Sequence, residues 1–584
     1  MACSSETGAW ALEELSRDRF EEMNFGERLD HYAKKIVVEG LRRPAWIMLW
    51  HFGVWLVNYG GFAVLAYSMP FHEECKDQDH ACLEASPTRS STDHGWLIFA
   101  KFMVWQHLAE AVGCRQGPLG GHMSLPNNWR YRLSIGTFKV PFLSIFGTKR
   151  NCVDFLVHAA FFVAGFAFVL SSKYEFLYVR ILCCLDVWIF FSDMLQFFAS
   201  TGHGYFTMIL PLCFPTQQGR LAAIQLALIF QWFFSGIGKV GPWFNYVNGP
   251  FMLQSRLLAG QRWLFRLLMK SVDDLRPSSI GICVATTAAF VEYAAPIALM
   301  IPSRLCIWAG LVGITAMHVY ILVMPAPFDV YSWNTCYMCA GVYLFYLAEP
   351  TVFGFDWQGL TAMHPVVVTA LSVECLVCWY GQFFPNQVGY YLSHRYWAGN
   401  WVQAFFFARK TDAVKAKFDK IRTFAANPIP NPPEAYFWAL AEGLYKSIAY
   451  LWLATFNMKA IVRMVDDMLQ IAGSSTIDEW RFCSIPGYCC GEFRDQLYAQ
   501  QMLAPAQEAM GFDEGECYMI HIGSFGCGRS SAFWKIYDMK LGKVMDSELT
   551  RDGLLSMCSK PSQSLDKSLS YAPSAAGSKQ ERLL

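Results

Sequence analysis

The residues best suited to chemistry in this sequence are titratable side chains inside long apolar segments. Lys239 ends the uncharged stretch 221–238, and Glu292 and His318 each lie near the middle of a later apolar segment. A desolvated lysine amine can act as a base or nucleophile. A neighbouring carboxylate or imidazole can tune that amine or relay protons. We therefore take Lys239, Glu292 and His318 as the candidate catalytic residues.

These residues also have a structural interpretation. A lysine at a helix end can extend its ammonium group to the membrane surface along its apolar stem. Buried acids are costly in a bilayer unless they face one another or water, so they can also form a network that holds helices together. The other acids available to such a network are Glu110, Asp186, Asp193 and Glu374. Gly236 and Gly238 favour a functional Lys239, because they let a helix or ligand approach the amine closely.

The composition indicates a membrane protein. The chain is 54% hydrophobic and 16% charged, whereas soluble domains carry about 25% charged residues. Nine apolar segments are predicted to be membrane helices, at 45–69, 96–113, 152–171, 177–199, 221–238, 280–301, 305–324, 331–348 and 364–384. A tenth segment, 204–214, is interrupted by Pro211 and is too short to cross alone. The predicted fold class is an all-α polytopic membrane bundle with a small C-terminal α+β module.

The distribution of charge predicts four regions and an orientation. The regions are a cytosolic amphipathic N-terminal part (1–44), a transmembrane domain (45–384), an interfacial or cytosolic α+β module (385–558) and a disordered tail (559–584). Loops rich in Lys and Arg usually lie on the cytosolic side. That rule places both termini in the cytosol, provided that the interrupted segment 204–214 dips into the membrane as part of a broken helix.

Other functional classes have weaker support. The net formal charge is zero, so no global field favours nucleic acid. The histidines are dispersed, and we predict no metal site. Cys75 and Cys82 lie in an acidic loop and can form a disulfide if that loop faces an oxidising compartment.

Two resemblances to known families follow from longer stretches. IFQWFFSGIGKVGPWFNYVNGP (229–250), with FVEYAAPIALMI (290–301) and AMHVYILVMPAPFDVYSW (316–333), resembles the vitamin K-dependent carboxylase-like (HTTM) transmembrane family. In the carboxylase the lysine of this junction is the proposed base that activates a hydroquinone. The resemblance therefore implies that role for Lys239, and it implies a quinone-like lipid. The large lumenal β-rich region of that carboxylase is missing, which argues against protein substrates.

Over most of its length the chain is similar to an uncharacterised actinobacterial multi-pass transmembrane family. The similar stretches include HRYWAGNW (394–401) and RFCSIPGYCCGEFRDQLYAQQM (481–502). That family has no assigned activity, so this resemblance bears on architecture alone.

The leading functional hypothesis is a membrane-embedded enzyme that acts on a lipid-soluble substrate, such as a quinone, an isoprenoid or a lipid, with Lys239 as the base. The expected partners are the lipid bilayer and this small molecule. One alternative is a transporter or proton-coupled carrier, which would suit the scattered intramembrane acids and the broken segment. Another is a scaffold whose membrane part positions the C-terminal module.

Overall fold

The computed structural model describes most of the chain. The described residues are 12, 15–40, 45–68, 87–113, 132–136, 139–171, 174–199, 202–214, 219–255, 258, 260–323, 331–348, 352–422, 441–483, 503–504, 506–508 and 510–562. Cys75 and Cys82 lie outside these residues, and so does most of the predicted tail 559–584.

Helices dominate the chain up to residue 388. They are α1 (Arg17–Glu22), α2 (Phe25–Glu39), α3 (Ala45–Ser68), α4 (Pro87–Ala111), α5 (Cys152–Leu170), α6 (Phe176–Ser192), α7 (Met194–Ala199), α8 (Gly202–Ile209), α9 (Arg220–Gly238), α10 (Pro242–Leu253), α11 (Arg262–Leu268), α12 (Ser279–Met300), α13 (Arg304–Val323), α14 (Tyr331–Val342), α15 (Pro365–Phe383) and α16 (Pro385–Val388). A π-helical turn, Tyr343–Leu347, continues α14.

All nine predicted apolar segments are helical, although 177–199 is divided between α6 and α7. Among the described residues, five helices are long and apolar enough to cross a membrane, namely α5, α9, α12, α13 and α15. Of these five, α9 is by far the most buried inside the protein. The helix that ends at Lys239 is therefore the central element of the bundle, surrounded by protein rather than by lipid.

The interrupted segment is buried in the protein. After α8, the chain tightens into the 3₁₀ turn Leu210–Cys213, which contains Pro211. Tyr205, Met208 and Leu212 are fully buried. Irregular backbone at membrane depth is tolerated where protein surrounds it, and the segment meets that condition.

The C-terminal region is an α+β module. It contains β1 (Gln403–Arg409), α17 (Asp412–Arg422), α18 (Ala441–Ala454), α19 (Ile461–Ile471), β2 (Trp480–Cys483), β3 (Cys517–Ile522), β4 (Ser531–Asp538), β5 (Gly542–Thr550) and α20 (Arg551–Met557). The strands form one antiparallel sheet in the order β2-β1-β3-β4-β5. A bundle of helices with a small C-terminal α+β module is the fold class that the sequence predicted, and it is confirmed.

Strand β1, which lies between β2 and β3 in the sheet, is buried on both faces. Alternate side chains of a strand point to opposite sides of the sheet. Phe405 and Phe407 join a hydrophobic cluster with α2 and α18, whereas Phe406 joins the cluster of the membrane bundle. The sheet is therefore a layer between the bundle and the soluble helices, and it fixes the module against the bundle.

The N-terminal helix α2 packs against α18 and belongs to the core of the module. The Arg28 guanidinium donates to both carboxylate oxygens of Asp478, at 2.7 and 3.1 Å, and to the Tyr445 hydroxyl at 3.1 Å. This hydrogen bonding lowers the pKa of the Asp478 carboxyl. The helix α2 and the C-terminal module therefore share one core.

Several intramembrane acids form separate ion pairs. Asp186 accepts from the His107 ring at 3.0 Å, and Asp193 is paired with the buried Arg150. Asp186 and Asp193 lie one heptad apart in the sequence, yet they bind different partners. The structural interpretation of these two acids agrees with this geometry, since each has a buried hydrogen-bonding partner.

A buried histidine in the sheet gives a pH-dependent prediction. His521 on β3 is fully buried, and neither ring nitrogen has a hydrogen-bond partner among the described residues. Burial, with a smaller contribution from Lys535, lowers its pKa from 6.5 to about 3. The unfolded chain binds a proton below pH 6.5 and the folded chain does not, so stability falls as the pH falls through this range. His521→Leu should remove about 2 kcal/mol of this acid sensitivity at a pH of about 5.

Thermal unfolding of the two proteins at neutral pH and at pH ~5 measures the effect. The drop in Tm on acidification should be smaller in His521→Leu than in the wild type. Equal drops would mean that His521 accepts a proton in the folded state.

Candidate functional site

Lys239 turns into the protein rather than toward the membrane surface. It follows the last residue of α9, and its side chain is 7% exposed. The ammonium group donates to Glu292 Oε1 at 2.7 Å, to the Tyr396 carbonyl oxygen at 2.9 Å and to Ser235 Oγ at 3.0 Å. An ammonium group has three N–H donors, so these acceptors satisfy all of them.

Two glycines allow this arrangement. A Cβ at Gly236 would lie 2.6 Å from the backbone nitrogen of Tyr293, and one at Gly238 would lie 3.3 Å from Arg395 Cα. Real Cβ atoms do not approach backbone as closely as the first of these distances. Gly236 therefore lets α9 pack directly on the backbone of α12, next to Glu292, and this packing brings the lysine to the carboxylate.

Glu292 keeps one oxygen available. Its Oε1 accepts from Lys239 and from Ser235 Oγ, the latter at 2.7 Å. Every hydrogen bond to this carboxylate from the described residues uses Oε1. Oε2 has no such bond and is not fully buried. Glu292 lines a cavity, so Oε2 is an acceptor accessible from that cavity.

His318 is held by two hydrogen bonds that fix its tautomer. The indole N–H of Trp232 donates to His318 Nε2 at 3.0 Å, so Nε2 carries no proton. The proton therefore resides on Nδ1, which donates to Asn334 Oδ1 at 2.9 Å. Both nitrogens of a neutral imidazole are engaged, which makes His318 part of the wall and leaves no lone pair free for a proton relay.

All three predicted site residues line one cavity of about 120 Å³. Most of its wall is aromatic or aliphatic. The lining residues are Gln231, Trp232, Ser235, Lys239, Phe244, Val247, Asn248, Phe251, Ala288, Glu292, Met317, His318, Tyr320, Ile321, Trp333, Asn334, Tyr337, Tyr396, Trp397, Trp401 and Ala454. Because Trp401 precedes β1 and Ala454 ends α18, the cavity lies where the bundle meets the C-terminal module.

The segment 394–401 forms part of the cavity wall and carries backbone strain. His394 and Trp397 have φ of 51° and 50°, and they are the non-glycine residues with positive φ in the described part of the chain. Such conformations cost about 1–3 kcal/mol each in bulky residues and persist where the surrounding structure holds them. Between them, Tyr396 supplies the carbonyl oxygen that binds Lys239.

The C-terminal module holds this segment in place. Arg395 donates to the Gln382 and Phe525 carbonyl oxygens, and burial lowers its pKa to about 10. The Asn400 side chain accepts from the Phe525 N–H at 2.9 Å, and Ser524 Oγ donates to the Asn400 carbonyl oxygen at 2.9 Å. The turn after β3 is thus an anchor for the segment that carries Tyr396.

Glu374 belongs to a neighbouring cluster rather than to the cavity. Its carboxylate lies 3.3 Å from His394 Nε2. The Tyr396 hydroxyl contacts the His203 ring, and the His394 ring stacks on Tyr396. This cluster packs against the strained segment. Among the described residues no group of three His, Cys, Asp or Glu side chains is arranged to hold a metal ion.

Sequence reasoning missed three contributors to the site. Ser235 and the Tyr396 carbonyl complete the lysine's hydrogen bonds, and Trp397 turns the backbone. Ser235 lies one turn before Lys239, and that spacing was the signal available for it. The stretch that contains Tyr396 and Trp397 was noted only for its family likeness.

Long apolar helices around an enclosed ion pair define a multi-pass helical membrane protein. The family described as "Transmembrane protein of unknown function (DUF3556)" matches residues 11–557, and the chain belongs to this family. No curated protein and no solved structure matches the chain. The prediction of an uncharacterised transmembrane family is confirmed. The actinobacterial origin and the likeness to the carboxylase-like family stay predictions.

The ion pair gives a stability prediction. Lys239→Met leaves a buried carboxylate unpaired, and Glu292→Met leaves a buried ammonium unpaired, so each should destabilise the protein by about 3–5 kcal/mol. The double variant removes both charges and should be more stable than either single variant. Thermal or denaturant unfolding of the purified proteins measures the three values.

The matched control is the exposed pair Lys149–Glu508, with an N–O distance of 3.2 Å and both side chains about 60% exposed. The same methionine substitutions there should cost less than about 1 kcal/mol. If the double variant at Lys239 and Glu292 lost as much stability as the two single variants together, the result would contradict a buried ion pair.

Proposed function

We propose that the protein is a membrane-embedded enzyme that acts on a lipid-soluble substrate, and that the Lys239–Glu292 pair transfers a proton to or from that substrate. The observation that carries the proposal is that this pair, with 2.7 Å between its nitrogen and oxygen, lines a mostly apolar cavity. Ion pairs that serve only to join helices need no adjoining cavity.

The pair can exchange a proton with a bound molecule without a large change in charge. In a low-dielectric site, an ion pair and the corresponding neutral pair are close in energy, so the proton position responds to a small perturbation. Because the three N–H groups of Lys239 are bonded to protein, Glu292 Oε2 is the atom that first meets a substrate proton. Lys239 orients the carboxylate through its hydrogen bond to Oε1.

The cavity wall supports a lipid-soluble substrate. Pockets for small apolar ligands are lined by hydrophobic and aromatic side chains with a few polar groups that fix orientation. Trp232, Trp333, Trp397 and Trp401 line this cavity together with the ion pair. The sequence likeness of 229–250 to the carboxylase-like family also supports Lys239 as part of the proton-transfer group, and quinones, isoprenoids and lipids are the substrate classes that the proposal covers.

The orientation of the chain belongs to the same proposal. The N-terminal helix α2 and the C-terminal module share one core, and the Lys- and Arg-rich loops favour the cytosol for that side. A substrate would then approach the cavity from the bilayer or from the cytosolic interface.

A comparison of membrane lipids tests the enzyme proposal. Cells that express the wild type, the Lys239→Met/Glu292→Met double variant or the Lys149→Met/Glu508→Met control are extracted, and their lipid-soluble compounds are profiled by mass spectrometry. At least one compound should change in mass and abundance, by about tenfold or more, with the wild type and the control, because loss of a general base typically costs 10²–10⁴ in rate.

The double variant should leave that compound at the level of cells that lack the protein. Identical profiles for wild type and double variant, at equal amounts of folded protein, would contradict catalysis. A compound that changes its location but not its mass would instead indicate transport.

A further inference from the structure

The unsatisfied hydrogen-bonding groups of the cavity indicate what its ligand must offer. This inference rests on the proposed function, because it concerns the same cavity. Glu292 Oε2 is an acceptor with no partner among the described residues. A ligand that fits this group has to donate a hydrogen bond.

The charge of the wall restricts the ligand further. Lys239 is the only Lys or Arg and Glu292 the only Asp or Glu among the described lining residues, and His318 is neutral. The lysine's donors are already bonded, so an anionic head group would face the Glu292 carboxylate without a free cation to neutralise it. A cationic head group would face the Lys239 ammonium at close range. A neutral head group avoids both repulsions.

The remaining wall offers apolar area and polar side chains, of which Asn248 is one. Four tryptophans and several aliphatic side chains line it. The Asn248 amide accepts from the Tyr320 hydroxyl at 3.1 Å, and its nitrogen contacts the Met252 sulfur at 3.9 Å. The weakly bonded amide N–H of Asn248 can therefore donate a hydrogen bond to an oxygen of the ligand. A hydroxyl group suits this position, because its oxygen can accept one hydrogen bond while its O–H donates another.

We propose that the cavity binds a neutral lipid alcohol, whose hydroxyl group donates a hydrogen bond to Glu292 Oε2 and whose apolar body lies against the tryptophans. The hydroxyl proton is then the proton closest to the pair. Compounds of similar length that only accept hydrogen bonds should bind more weakly, because they leave Oε2 desolvated without a donor. Fatty acids should also bind more weakly, because they bring a second carboxylate close to Oε2.

Three probes of equal chain length test this inference, namely hexadecan-1-ol, its methyl ether and hexadecanoic acid. The purified full-length protein in detergent is titrated with each, and the bound fraction is read by native mass spectrometry. The alcohol should bind at about tenfold lower concentration than the ether, as expected for one hydrogen bond to a charged group. The acid, measured at neutral pH, should bind more weakly than the alcohol.

The preference should disappear in the Lys239→Met/Glu292→Met variant and persist in the Lys149→Met/Glu508→Met control. Unfolding measurements establish that both variants are folded. Equal binding of alcohol and ether, tighter binding of the acid, or a preference that survives in the double variant at Lys239 and Glu292 would overturn the inference. Failure of the proposed function has another signature: the alcohol binds through Glu292, but no compound changes in the lipid profile.

Discussion

The buried ion pair between Lys239 and Glu292 is the constraint on which the rest of the structure depends. Two charges in an apolar interior are tolerated only when their geometry and their hydrogen bonds are nearly complete. Here Ser235 bridges the two groups, and the Tyr396 carbonyl oxygen accepts the remaining ammonium proton. Gly236 lets the two helices approach closely enough for this contact. Each of these features would be unnecessary for a lysine that extended to the membrane surface.

The same constraint explains why the membrane bundle and the C-terminal module form one structure. The Tyr396 carbonyl oxygen that accepts from Lys239 lies between His394 and Trp397, which adopt strained backbone conformations. That strain is stabilised from the module, through the bonds of Asn400 to the turn after β3 and of Arg395 to the Phe525 carbonyl oxygen. The module therefore contributes directly to the geometry of the intramembrane site, and a scaffold role alone would not require this connection.

Much of the architecture is predictable from the sequence, because apolar length is a local property. The nine apolar segments are helical, and Lys239, Glu292 and His318 line one cavity. Their roles were less predictable. Hydrogen bonds from Trp232 and to Asn334 engage both nitrogens of His318, and such partners depend on tertiary packing. Positive φ at an aromatic residue such as Trp397 has no counterpart in local sequence preference.

An experimental structure of the protein purified from native membranes tests the central claim most directly. The account predicts that Lys239 Nζ lies within hydrogen-bond distance of Glu292 and of the Tyr396 carbonyl oxygen. It also predicts elongated density in the tryptophan-lined cavity, with its polar end at Glu292. A lysine side chain that points to the membrane surface, with the space beside Glu292 filled by protein side chains, would contradict it.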